Sequence, residues 1–286
     1  MIFVIIACLA SAAMIVAFVE TRILRIKTYF INAPEKANIE KVRIALVSDL
    51  HCTCFGKGNR RLIEKIASTG PDLLIVAGDV INGRESETEY AVNFFDAVKH
   101  AGINAIYIFG NHEQKLTRIC IQAYDAYVSE LSDHVRIVNN KTVEINGIVI
   151  KGLLIPLPMY RDKISNIQEY FNATELVGKF EDDGKYHILV AHDPTFTDYY
   201  DEIGADLTLS GHLHGGLIRI PGIGGLITPR HRIFPRRTRG LFDSGKGKLL
   251  VTSGVGWHAV PFRFCNDPQI CLIEIGKGEQ KDESEL

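Results

Sequence analysis

Five short blocks in this sequence close apolar runs with side chains that coordinate metal ions. They are Asp49-Leu50-His51, Gly78-Asp79, Gly110-Asn111-His112-Glu113, Ala191-His192-Asp193 and Gly211-His212-Leu213-His214. Carboxylate, carboxamide and imidazole donors in this mix suit Mn, Fe, Zn or Mg and do not choose among them. In Asp49-x-His51 and His212-x-His214 the paired side chains stand two positions apart, so at a strand end both face the same way and can address one ion. Two cations about 3.5–4 Å apart lower the pKa of a shared water and clamp phosphoryl oxygens, which is the chemistry of phosphate-ester hydrolysis. A lone histidine in such a setting is usually a hydrogen-bonded structural residue, so the weight rests on the set.

The blocks need elements that bring them to one place. Apolar runs at 42–48, 73–77 and 105–109 read as buried strands, and the helical stretches at 59–68 and 87–99 separate them. Strands alternating with helices at this spacing argue βαβ units and a partly parallel sheet. Further strands are expected at 135–138, 142–145, 148–152, 187–191, 207–210, 248–252 and 270–275, and Asn146-Gly147 marks a two-residue hairpin turn. A loop and helical region is expected over 156–180. The first half thus reads as parallel and the second as antiparallel, in one domain. In open α/β sheets the carboxyl ends of strands form the ligand crevice, where the five blocks would converge.

Taken in order, Asp-x-His, Gly-Asp, Gly-Asn-His-Glu, His and Gly-His-x-His resemble the calcineurin-like metallophosphoesterases over about residues 43–258. The resemblance implies a four-layer α/β/β/α sandwich of mixed sheets. It assigns one metal to Asp49, His51 and His214, the other to Asn111, His192 and His212, with Asp79 bridging. His112 is then the candidate to protonate or stabilise the leaving oxygen. Glu113 stands where Asp is more usual, and that side chain is not expected to be a ligand. Gly78, Gly110 and Gly211 precede ligand blocks, where the backbone is expected to turn sharply. The stretch from Gly211 to Gly222, with Phe234-Pro235 and Gly240-Leu241-Phe242, is similar to the membrane-associated branch that includes UDP-2,3-diacylglucosamine diphosphatases. That branch more often has Gln where this chain has Leu217.

Composition fits such an enzyme: 46% of the 286 residues are hydrophobic and 23% charged, enough to bury a large core. A net charge of −2 argues against a protein that coats nucleic acid. Residues 1–19 carry no charged side chain. As a helix they would rise about 28 Å, nearly the ~30 Å of a hydrocarbon core. No Lys or Arg precedes the run, and it continues past Ala10-Ser11-Ala12, which favours an uncleaved anchor over a signal peptide. The expected organisation is an N-terminal apolar transmembrane helix as anchor over 1–27, a linker over 28–41, the phosphoesterase domain over 42–276 and a polar tail over 277–286. Arg22, Arg25 and Lys27 after the run place the body on the cytoplasmic side. Six cysteines without a CxxC pair read as thiols of a reducing compartment, with Cys52 and Cys54 as bystanders of the metal blocks. Arg230, Arg232, Arg236 and Arg237 suit anionic head groups or a diphosphate. The expected function is therefore hydrolysis of a phosphoester or diphosphate by two divalent ions, with a lipid-linked substrate such as UDP-2,3-diacylglucosamine and the membrane as partners. Rival readings are a nucleotide or cyclic-nucleotide phosphodiesterase and a non-catalytic, metal-bound membrane scaffold.

Overall fold

Strands buried on both faces read as continuous aliphatic runs, and this chain folds them into two stacked sheets. The computed structural model describes residues 2–277 apart from 38, 162–170, 217, 221–223, 228–234, 236 and 258–262. One sheet pairs β1 (Arg25–Asn32), β14 (Gln269–Gly276), β2 (Val42–Val47), β3 (Leu73–Ala77), β4 (Ala105–Ile108) and β5 (Arg136–Ile137) in that order. The other pairs β12 (Gly240–Ser244), β13 (Gly247–Val251), β9 (Leu207–Ser210), β8 (Tyr186–Ala191), β7 (Ile148–Leu153) and β6 (Lys141–Ile145). A separate two-stranded ribbon joins β10 (Ile218–Ile220) to β11 (Gly224–Ile227).

Period-two alternation sorts each strand between two cores. Ile44, Leu46, Leu73, Ile75, Ile106 and Ile108 face Ile148, Ile150, Ile188, Val190, Leu207 and Leu209 between the sheets. Their neighbours Ala45, Val47, Leu74 and Val76 turn outward onto helices α2 (Arg60–Ala67), α3 (Thr88–His100) and α5 (Ile121–Ser132), through Leu62, Ile66, Phe94, Phe95, Tyr127 and Leu131. On the far side Leu153, Leu189 and Ala191 pack against Ala173 of the short helix Ala173–Val177 and Phe196 and Tyr200 around the helix Thr197–Tyr200. The layers run α/β/β/α.

Three expectations need correction. First, the second sheet is mainly parallel: β7, β8, β9 and β13 run together, and only β6 and β12 are antiparallel to their neighbours. Among the described residues the crossover α-helices there have four or five residues, too few to display a helical period. The Asn146-Gly147 turn does join β6 to β7, with φ of 51° and 77° as a hairpin turn of this kind requires. Second, part of the stretch read as a linker is a strand. β1 pairs in parallel with β14, from Arg25 opposite Gln269 to Asn32 opposite Gly276. Tyr29 and Ile31 alternate into the inter-sheet core while Phe30 and Asn32 face outward. Third, helix α1 (Ile2–Glu20) ends before β1 begins, so Arg25 to Lys27 belong to the sheet rather than to an anchor. No helix among the described residues is long and apolar enough to cross a membrane. Of the tail, only Lys277 falls within the described residues.

Candidate metal centre

Asp49 and His51 lie just past β2, Asp79 past β3, His192 past β8, and His212 and His214 past β9. Asn111 and His112 open helix α4 (Asn111–Ile119), directly after β4. Apart from Asn111, these residues fall into three overlapping groups with ligand atoms close enough to share an ion: Asp49, His51 and His214; His51, Asp79 and His112; Asp79, His192 and His212. Asp79 Oδ2 stands 3.0 Å from His192 Nε2 and 3.9 Å from both His51 Nε2 and His112 Nε2. Asp49 Oδ1 lies 3.5 Å from His214 Nε2 and 3.9 Å from His51 Nε2. Asn111 Oδ1 is buried with no hydrogen-bond partner among the described residues.

The backbone here is held in a conformation that L residues seldom adopt. Asp49, His51, Asp79, His212 and His214 all have positive φ, from 46° to 67°. Such residues cost of order 1–3 kcal/mol each and persist where the surroundings over-determine them. The ligand residues therefore make the sharp turns themselves. Of the three preceding glycines only Gly78 has positive φ, at 92°. Gly110 and Gly211 serve close approach instead: a Cβ would strike Asp79 Oδ1 at Gly110, and Ser48 Oγ or Asp49 Oδ2 at Gly211.

Neighbouring acceptors fix the imidazole tautomers. His192 Nδ1 donates to Ala77 O at 2.6 Å, His51 Nδ1 to Asn82 Oδ1 at 3.1 Å and His112 Nδ1 to Asn82 O at 2.8 Å. Each ring then presents Nε2 to the centre, as metal-binding histidines do when a carbonyl or carboxylate holds the other nitrogen. Glu113 is fully buried and accepts from the backbone N–H of Asp79, Val80 and Gly110 at 2.8–3.0 Å, pinning the β3 and β4 loops together. The donor set, the tautomers and the unpartnered Asn111 oxygen all fit a divalent cation.

Charge follows the same geometry. Burial, with Asp79 adding its negative charge, pushes the Asp49 carboxyl up to about 6. Burial works against the His192 imidazolium, yet Asp79 and Asp49 outweigh it and lift His192 to about 10. Burial likewise opposes ionisation of Asp79, but His192 and His112 hold it well below the usual carboxylate range. Protons retained on His192 and Asp49 must leave before a cation can take those atoms. Mn²⁺ affinity is therefore expected to rise with pH, by up to about tenfold per unit for each proton displaced. Titration with Mn²⁺ between about pH 5 and pH 8 checks this, and a flat or falling affinity would contradict it.

Several contributors escaped sequence reasoning. Asn82 holds two of the imidazoles, Glu113 holds two loops, and Lys115 brings its Nζ to 2.9 Å from His112 Nε2. Asn82 and Lys115 carry no motif, and Glu113 closes the third block, where it was expected only not to be a ligand. Arg230, Arg232 and Arg236 lie outside the described residues, while Arg237 is exposed. Burial pushes the Cys52 thiol up to about 12, so without a cation it stays protonated beside His51.

Residues 42–216, more than half of the chain, match the family described as calcineurin-like phosphoesterase. An uncharacterized metallophosphoesterase of Aquifex aeolicus is 26% identical over 269 residues, covering 91% of this chain and 95% of that protein. The uncharacterized metallophosphoesterase YkuE of Bacillus subtilis is 24% identical over 82% of this chain and 78% of its own length. The UDP-2,3-diacylglucosamine pyrophosphatase LpxG of Chlamydia trachomatis is 24% identical over 89% of this chain and 90% of its own length.

Proposed function

This chain belongs to the calcineurin-like phosphoesterase family, and on that premise we propose that its centre holds two divalent cations and cleaves a phosphoester or diphosphate bond in a lipid-linked substrate. One ion would be held by Asp49, His51 and His214, the other by Asn111, His192 and His212, with Asp79 available to both. The observation that carries this reading is the position of Asp79 Oδ2, 3.0 Å from His192 Nε2 and 3.9 Å from His51 Nε2, so that one carboxylate oxygen serves both groups. When bound, the ions supply the Lewis acidity that activates water and neutralises phosphoryl charge.

The chain's own part is orientation and proton handling. With Nδ1–H committed to Asn82 O, His112 turns Nε2 towards Asp79 and presents its lone pair there, which accepts from Lys115 Nζ at 2.9 Å, and a proton relayed along that bond would serve the leaving oxygen. The half-buried Lys115 ammonium stands beside that nitrogen and adds positive charge where the leaving group develops negative charge. Burial lowers the Lys115 pKa, which limits how much further charge that corner accepts.

Support for a lipid-linked substrate comes from two sides. LpxG is a pyrophosphatase of a diacylated glucosamine nucleotide. Helix α1 and the segment after it expose Phe3, Met14, Ile15, Phe18, Ile23 and Phe30, an apolar surface suited to contact with a bilayer. The decisive experiment offers the full chain UDP-2,3-diacylglucosamine, bis-p-nitrophenyl phosphate and a cyclic nucleotide, each with Mn²⁺ or chelator. Metal-dependent cleavage with preference for the diacylated substrate is expected. Preference for the cyclic nucleotide would overturn the lipid reading, and no metal-dependent release from any compound would favour a non-catalytic scaffold. Removing the first 27 residues would also take away part of β1, so the full chain is the right material.

A further inference from the structure

Asp49 and His214 sit in left-handed backbone, with φ of 54° and 50°, and something must hold them there. The holding comes from residues 263–269, far away in sequence. Asn266 is fully buried, and its Nδ2 donates to His214 O at 2.6 Å and to Gly216 O at 3.0 Å. A Cβ at Gly215 would run into Asn266 Oδ1, so the loop closes tightly around this amide. Arg263, only 3% exposed, spends its guanidinium on backbone carbonyls: Ser253 O at 2.8 Å and Gly256 O. That clasped stretch in turn supports the first ligand loop, with Val255 N on Ser48 O at 3.0 Å and Gly256 N on Asp49 O at 2.8 Å. Gln269 N on Gly254 O at 3.0 Å and Ser253 Oγ on Asp267 O at 3.1 Å complete the join.

One bracket thus grips the backbones of Asp49 and His214, which fall in the same candidate group with His51. The group of Asp79, His192 and His212 is braced mainly by Glu113 on the Asp79 loop and by Ala77 O on His192, with His212 N on Asp49 Oδ2 at 3.0 Å as its link to the first group. We propose that Asn266 and Arg263 are positioning residues for the Asp49–His51–His214 subsite and set its metal affinity separately from that of the other subsite. The proposal rests on the two-ion reading of the centre. The last turn of α1 also reaches the bracket, with Cys265 N donating to Glu20 Oε2 at 2.7 Å, so the bracket is a joint between the N-terminal helix and the centre.

Asn266→Asp is nearly isosteric but turns an acceptor towards two carbonyl oxygens, and Asn266→Ser is the milder companion. In the full-length protein titrated with Mn²⁺, Asn266→Asp is expected to weaken one ion by about 10–100-fold and leave the other within about threefold of wild type. Electron paramagnetic resonance should then show an uncoupled Mn²⁺ signal at one equivalent and recovery of the coupled pair at high Mn²⁺. Asn266→Ser should fall between Asn266→Asp and wild type. The proposal is overturned if folded variants bind both ions as wild type does, or if both ions weaken by the same factor. It is equally overturned if neither variant folds, since Asn266 would then serve the fold as a whole. Should the wild-type chain take up a single ion, the two-ion reading fails. The bracket then stands or falls on whether Asn266→Asp weakens that ion.

Discussion

Asp79→Asn is expected to lose one bound ion and to lower kcat/KM by about 10³-fold or more, equivalent to roughly 4 kcal/mol of transition-state stabilisation. The reason lies in the number of partners one carboxylate serves. Oδ1 accepts from the His112 backbone N–H at 2.8 Å, and Oδ2 faces His192, His51 and His112. The amide can keep the first bond by presenting its oxygen to His112 N. Its Nδ2 then points a donor at the position that the proposed pair of cations would share, and the local charge rises by one. Asp79→Ala would add an unsatisfied backbone N–H and a small void, so the isosteric change gives the cleaner reading. Metal counting by mass spectrometry, alongside rates on bis-p-nitrophenyl phosphate, checks it. Two tightly bound ions with a rate within about threefold of wild type would remove Asp79 from the bridging position.

How much of this centre could be read from sequence follows from where its bonds run. The candidate ligands Asp49, His51, Asp79, Asn111, His192, His212 and His214 stood out in the sequence because metal coordination calls for those residue types and their blocks close apolar runs. The strands themselves were legible as buried runs, such as Leu73–Ala77 and Leu207–Ser210. Glu113 and Asn266 were not, because they act on backbone N–H or carbonyl groups 34 and 52 residues away, and backbone partners leave no trace in side-chain pattern. Strand β1 hid because it is an edge strand: only Tyr29 and Ile31 turn into the core, and exposed Ile26 and Phe30 break the apolar–polar alternation. Helix α4 hid for another reason. Asn111, His112, Glu113 and Gln114 are all buried polar residues, so its inward face is made of the centre's own side chains rather than of an apolar stripe. A pattern search for hydrophobic periodicity fails where function occupies the buried face.

His112→Ala is expected to lower kcat by about 10²–10⁴-fold while leaving metal content unchanged, with the larger losses on substrates whose leaving group is a poor one. Geometry separates this residue from the ligands. Its backbone N–H, which survives the substitution, keeps the bond to Asp79 Oδ1 and thus the shared carboxylate in place. What disappears is the Nε2 that the Nδ1–H bond to Asn82 O aims at the centre, together with the ring on which Lys115 Nζ rests. A leaving oxygen that departs as a stabilised anion, such as p-nitrophenolate, needs little protonation, whereas an alkoxide needs a full proton. The ratio of wild-type to variant rates should therefore grow as the leaving-group pKa rises. A series of aryl and alkyl phosphodiesters measured with saturating Mn²⁺ gives that slope directly. Were the ratio constant across the series, His112 would act by holding the substrate rather than by giving up a proton. Were metal content to fall with it, His112 would belong with the ligands, in keeping with its place in a group with His51 and Asp79.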